Sequence, residues 1–253
     1  MSSTIKAITF DLWDTIIDDD SDEPKRRKIG LARKQEHRLE LLCEAVTKEN
    51  QISVDQVRLG STVIDAAFLE CWRNYSITWP YRVRVKILLN GLGLSLSENS
   101  LNQLVSAVEN MEVDIFPDPI NGVGDALREL SFNYKLCIVS DTIITPGSGL
   151  RSLLKLHDLS RYFSGYAFSD EVGHSKPHVD MFASAAKQLG CNLNQMIHIG
   201  DRDHNDIKGP QALGMKAILF TGKRDDDKET TSADAICERH SDLPMIIRQL
   251  TSS

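Results

Sequence analysis

Three clusters of acidic and hydroxyl residues each stand at the end of an apolar run of strand length. Asp11, Asp14 and Thr15 follow the run Ile5, Ala7, Ile8 and Phe10. Ser140, Asp141 and Thr142 end the run KLCIVS at 135–140. Asp201, with Asn205 and Asp206 after it, follows the run at 195–199 and Gly200. Acidic residues are poor strand formers, so each strand ends where its cluster begins. Such a cluster is costly unless it faces a cation, a phosphate or water. Between the second and third clusters, Ser175-Lys176-Pro177 sets a lysine in a loop ahead of a proline.

The chemistry follows from these parts. Asp11 and Asp201 supply hard oxygen ligands, and a Mg2+ site uses one or two carboxylates with substrate phosphate and water. A carboxylate beside that ion can attack a phosphoryl group and form an aspartyl-phosphate. Ser140 and Lys176 would bind the non-bridging oxygens, where transition-state charge is spread. Lys176 would also keep Asp11 ionised against its like-charged neighbours. Each residue has a plainer reading too. Asp11 can simply end a strand, Ser140 a turn, and Lys176 can be a solvated lysine. Asp206 can cap a helix starting at Ile207.

Strands and helices must bring these residues together. After Pro117 the two alternate. Val123, Ala126, Leu127 and Leu130 space a helix, 135–140 a strand, and Leu150, Leu153 and Leu154 a helix. A short strand is expected at 166–169. Phe182, Ala185, Ala186 and Leu189 mark a helix, and 207–213 another. Strands at 216–220 and 234–237 precede a closing helix carrying Leu243, Ile246, Ile247 and Leu250. Such alternation predicts βαβ units and a mostly parallel sheet. Its ligand edge is the one at the strand carboxyl ends.

Residues 28–110 show no strand signal. Leu39, Leu42, Cys43 and Val46 recur at helical spacing, as do Ile64, Ala67, Phe68 and Cys71, and Leu101, Leu104, Val105 and Val108. Ser97 with Asn99 and Ser100 signals the last helix start. A further helix is expected at 81–90, stopped by Gly91. The acidic block at 18–23 reads as a solvated linker. The basic run at 25–28, with Arg33, Lys34 and Arg38, reads as a solvated helix face. Trp72, Tyr75, Trp79 and Tyr81 are expected to pack between helices.

Composition narrows the class. With 41% hydrophobic and 26% charged residues the 253-residue chain reads as globular. A net charge of −7 argues against a nucleic-acid partner. Five scattered cysteines without C-x-x-C spacing argue against a disulfide framework and fit a reducing cytoplasm. No apolar run reaches the about 20 residues that span a bilayer. His198 lies in an apolar strand and reads as a core histidine. His174, His178 and His204 show no zinc-motif spacing. Oligomeric state leaves no trace in the sequence.

D-L-W-D-T at 11–15, Ser140 after an apolar strand, Lys176 before Pro177, and G-D-R-D-H-N-D at 200–206 resemble, in order and spacing, the four motifs of the haloacid dehalogenase superfamily of hydrolases. The resemblance implies an α/β fold: a Rossmann-like core at 1–17 and 114–253, helices on both faces of the sheet, and an inserted helical cap at 18–113. It implies Asp11 as nucleophile, Ser140, Asp141 and Lys176 as substrate-binding residues, and Mg2+ held by Asp11, Asp201, the Trp13 carbonyl and Asp206. The substrate would be a small phosphorylated molecule.

One position departs from the pattern. The superfamily's phosphatases usually carry a second aspartate two residues after the nucleophile, which protonates the leaving group. Here it is Trp13, which transfers no proton at neutral pH. Asp14, where those phosphatases usually have glycine, is a weaker substitute, and Trp13 itself would either fill the core or wall the pocket. Dehalogenases of the superfamily carry an aromatic at this position but use no metal. A metal-independent 2-haloacid hydrolase is therefore the alternative reading, and a non-catalytic binding member is a third.

Overall fold

The computed structural model describes residues 4–252. In chain order the elements are β1 (Ala7–Phe10), α1 (Glu23–Lys28), α2 (Lys34–Glu49), α3 (Val54–Tyr75), α4 (Tyr81–Leu92), α5 (Glu98–Glu109) and α6 (Met111–Asp114). Then come α7 (Val123–Ser131), β2 (Lys135–Ser140), α8 (Gly147–Leu156), β3 (Phe163–Phe168), α9 (Ser169–Val172) and α10 (Val179–Leu189). The chain closes through β4 (Met196–Gly200), α11 (Gly209–Ala212), β5 (Lys216–Phe220), β6 (Ala235–Cys237) and α12 (Leu243–Ser252). By contact density it divides into two units. One holds the described residues up to Asp19, Pro117–Asp141 and those from Leu154 onward. The other holds Asp20–Phe116 and Thr142–Leu153.

The first unit is a six-stranded sheet in the order β3-β2-β1-β4-β5-β6, with every pairing parallel. This is the doubly wound order, whose direction of winding reverses between the first and fourth strands. Parallel strands covered on both faces read as continuous apolar runs, and all four residues of β1 and all five of β4 are buried. Ala7, Cys137, Val139 and Ala167 pack on Met181, Phe182 and Ala185 of α10. Helices lie on both sides of the sheet, as an alternating βα chain requires.

The second unit is helical. Leu42, Val46, Val57, Leu88, Leu104 and Val108 form its core. Ser53 starts α3 with a capping box to Gln56, and the Ser97 hydroxyl accepts from Ser100 N at the start of α5. Its charges are less solvated than composition suggests. Asp22 in the acidic block is fully buried, with Lys34 Nζ 3.2 Å away, and Lys34 also reaches Glu112 at 3.3 Å. Arg26 of the basic run is buried too, donating to Ala32 O at 3.2 Å and reaching His37 Nδ1 at 2.7 Å. Each segment is thus solvated only in part: Asp22 and Arg26 are buried with partners, while Asp20, Arg27 and Lys28 stay exposed. Tyr81 is buried and Trp79 tilts against Phe68, but Tyr75, the last residue of α3, is 65% exposed.

Several boundaries move for identifiable reasons. α4 runs through Gly91 and is closed by Gly93, whose φ of 68° is the left-handed cap that glycine adopts without strain. β3 starts at Phe163, three residues before the expected 166, and stacks Tyr166 on Phe168 at 5.7 Å. Ser169 already begins α9. The helix expected at 207–213 is instead a π-helical turn, Asp203–Lys208, followed by the short α11. Pro210 lacks an N–H and can only start a new helix.

Candidate active site

Asp11 lies one residue past the end of β1, its N–H donating to Ile199 O of β4 at 2.8 Å. Asp201 lies one residue past the end of β4. The two acids therefore flank the line between β1 and β4 where the sheet's winding reverses, which is the binding edge of such folds. Gly200 makes this possible. A Cβ there would stand 2.3 Å from Asp206 Cγ, so only glycine lets the Asp206 carboxylate fold back against β4.

Carboxylate oxygens of Asp11, Asp201 and Asp206 lie within 4.8 Å of one another, and all three residues are buried. Lys176 Nζ sits among them, 2.7 Å from Asp11 Oδ1 and 2.6 Å from Asp206 Oδ1. Burial alone would lower the Lys176 pKa. Asp11, Asp206 and Asp141 outweigh it and hold the group above the ordinary lysine range. Burial would likewise raise Asp206, but Lys176 and His198 keep its pKa below the usual carboxylate value. Asp201 goes the other way: burial first, then repulsion from Asp11 and Asp206, raises it.

The lysine loop is tied down from both sides. Lys176 N–H donates to Asp141 Oδ1 at 2.9 Å, so the acid after β2 fixes the backbone of the lysine. A Cβ at Gly209 would stand 2.4 Å from Pro177 Cβ, so α11 packs directly on that proline. Ser140 is fully buried at the end of β2, its hydroxyl 3.4 Å from Asp141 O. Trp13 is half-buried in the turn after Asp11, bridged to Ile17. Asp14 adopts a φ of 52°, a left-handed conformation that favours glycine. Its Oδ1 accepts from Asp19 N at 3.3 Å, outside the three-carboxylate group. Burial raises its pKa.

Asp206 does not cap a helix. Its Oδ1 meets Lys176 and His198, and its Oδ2 accepts from Arg202 N at 3.0 Å. His198 is the partner that sequence reading left in the core. Its Nε2 lies 3.1 Å from Asp206 Oδ1, and its Nδ1 lies 2.8 Å from the Thr9 hydroxyl. Donation from Nε2 to the carboxylate leaves Nδ1 to accept from Thr9, and burial keeps the ring's pKa low. Thr9 and His198 are direct register partners, two residues before Asp11 and Gly200. Two polar residues level with each other in adjacent apolar strands were the available signal. Arg224 also escaped notice: it donates to Asp201 O at 2.9 Å and to Asp227 Oδ2 at 2.6 Å, and Asp227 Oδ2 in turn accepts from Asp203 N at 3.1 Å.

The residues fit a divalent cation. Asp201 is 2% exposed, yet neither of its carboxylate oxygens has a hydrogen-bond partner among the described residues. Three carboxylates face one ammonium, and an oxygen-only donor set suits Mg2+.

Residues 85–220 match the family model described as haloacid dehalogenase-like hydrolase. The chain is 28% identical over 220 residues to the glyceraldehyde 3-phosphate phosphatase of Pyrococcus furiosus, covering 85% of this chain and 80% of that one. It is 32% identical to the pyrophosphatase PpaX of Bacillus cereus over 204 residues, 76% of this chain and 91% of that one. A HAD phosphatase of Thermococcus onnurineus superposes with a TM-score of 0.65 at 22% identity, covering 96% and 98% of the two chains. With more than half its length matched by the family model and a relative at 32% identity covered almost end to end, the chain belongs to the haloacid dehalogenase-like hydrolases.

Proposed function

We propose that this hydrolase is a Mg2+-dependent phosphatase of small phosphorylated molecules, acting through an aspartyl-phosphate on Asp11. The observation that carries the reading is the pair of orphaned Asp201 oxygens beside Asp11 and Asp206. Arg202 Nε stands 3.8 Å from Asp201 Oδ2, too far for a hydrogen bond. A buried carboxylate without hydrogen bonds is costly, and a hard divalent cation removes the cost. Relatives named for glyceraldehyde 3-phosphate and pyrophosphate support a phosphoryl substrate.

In this reading Asp11, Asp201, Asp206 and the Trp13 carbonyl would hold Mg2+, which supplies neutralisation of the phosphoryl charge when bound. An Asp11 oxygen attacks phosphorus while the bond to the leaving oxygen breaks, and that oxygen keeps the electron pair. Water then attacks phosphorus, releasing inorganic phosphate and the free carboxylate. Lys176, 2.7 Å from Asp11 Oδ1, orients the nucleophile and offers a fixed positive charge to the transition state. Asp141 holds the Lys176 backbone, and Ser140 binds a phosphoryl oxygen.

Trp13 narrows the substrate. A positioned acid is worth about 10²–10⁴-fold in rate, and Trp13 provides none. Asp14 is engaged with the Asp19 amide instead. Acyl and aryl phosphates, whose leaving groups need no proton, are the expected substrates. The aromatic at position 13 favours the second reading, a metal-independent hydrolase of 2-haloacids. The carboxylate cluster weighs against it, because three buried acids beside one lysine repel without a cation.

A panel of acyl, aryl and alkyl phosphates and 2-haloacids, each assayed with Mg2+ and with a chelator, separates the two. Turnover of acyl or aryl phosphates only with Mg2+ is expected. Chelator-insensitive release of halide would reverse the assignment.

A further inference from the structure

The segment from His174 to Asp180 carries a second group of metal-binding donors that shares no residue with the carboxylate cluster. Ser175 and Lys176 face inward, but His174, His178 and Asp180 keep side chains at the surface, 37%, 35% and 52% exposed. The two imidazoles stack at 3.7 Å with 7° between their planes. Both Nδ1 atoms approach one oxygen, Asp180 Oδ2, at 3.1 Å from His174 and 3.5 Å from His178. His174 Nδ1 is screened from solvent and still forms no hydrogen bond.

We propose that His174, His178 and Asp180 form a transition-metal site for Zn2+ or a cation of similar softness. Two imidazoles and one carboxylate are a donor set that such ions accept, with water completing four ligands. Tetrahedral bonds of about 2.0–2.1 Å place neighbouring ligand atoms about 3.3 Å apart. The two nitrogen–oxygen separations, 3.1 and 3.5 Å, bracket that edge. The lone pairs of parallel rings do not converge, so binding tilts the His178 ring out of the stack. Its Nδ1 then gives up the 3.3 Å hydrogen bond from Asp180 N, and water serves that amide at the exposed start of α10. Mg2+ prefers oxygen donors, so the protein would sort two cations by donor hardness: Mg2+ to the carboxylates, the softer ion to the imidazoles.

Calorimetric titration with Zn2+ in excess Mg2+ tests this. Four proteins are compared: the unaltered chain, His174→Gln, His178→Asn and Asp201→Asn. Asparagine at 178 still caps α10, and His174→Gln leaves the native cap in place. The expected result is one equivalent of Zn2+ bound, with affinity reduced about tenfold or more in each histidine variant and unchanged in Asp201→Asn. Four-coordinate visible bands with Co2+ should disappear in the same two variants. No Zn2+ binding, binding indifferent to both histidine changes, or binding lost in Asp201→Asn would each overturn the proposal.

Discussion

At the scale of residues, the proposed reaction turns on position 13 for its choice of leaving group. If the missing proton donor is what limits alkyl esters, Trp13→Asp should raise their turnover by about 10²–10⁴-fold, with less effect on acyl phosphates. Equal effects on both classes would show that Trp13 acts otherwise. His240 shows how burial elsewhere supports the same turn. It is buried, stacked on Phe220 at 4.3 Å, with Nε2 2.8 Å from Thr15 O, the residue that ends the motif after β1. Burial lowers its pKa from 6.5 to about 4 despite that hydrogen bond. The unfolded chain thus takes up a proton that the folded chain refuses. Its contribution is complete above about pH 6.5 and falls away toward pH 4, by about 3 kcal/mol in all. Urea titrations should show the stability gap between the unaltered protein and His240→Gln shifting by up to about that amount over this window. A gap independent of pH would contradict a neutral buried imidazole. Asp11, Asp201 and Asp206 could be picked out in the sequence as acids at or just past a strand end, and Lys176 as a lysine set in a loop ahead of a proline; the structure brings the four together. Thr9 and His198 could not be picked out, because their pairing depends on the register between strands, across 189 residues of chain.

At the scale of elements, the turn after β4 is the demanding one. Helical periodicity around Ile207 predicted a regular helix. The chain instead makes a wide π turn, a form often found at functional sites. In that turn Asp206 points back at Lys176 and His198 while Asp201 stays at the strand end. No local propensity encodes this, since the partners of Asp206 come from β4 and the Lys176 loop. Gly200→Ala is the test at this scale. The added methyl meets the Asp206 carboxylate at 2.3 Å, and overpacking of this kind costs about 1–3 kcal/mol or more. The variant should unfold at lower denaturant and bind Mg2+ more weakly. Unchanged stability and Mg2+ affinity would show that the close approach of Asp206 is dispensable. Asp22 and Arg26 teach the reverse lesson in the helical unit. Charge density alone read as solvation, but both side chains are buried with specific partners.

At the scale of the whole molecule, alternating strand and helix signals were enough to read a mostly parallel sheet, and the family resemblance put helices on both faces; every pairing in the sheet is in fact parallel. The order β3-β2-β1-β4-β5-β6 follows from right-handed crossovers once β1 is central. Fold alone does not choose a reaction, since unrelated chemistries share it. The proposed choice rests on what stands at the β1/β4 edge: the Asp11 carboxylate, one lysine, and two further acids, one of them without a hydrogen-bond partner among the described residues. The most direct measurement is the rate of acyl-phosphate hydrolysis at saturating Mg2+ by the unaltered protein and by Asp11→Asn, with Mg2+ binding and folding checked in both. Phosphoryl transfer to Asp11 predicts that the folded variant falls to the uncatalysed background. Turnover retained in folded Asp11→Asn would contradict it.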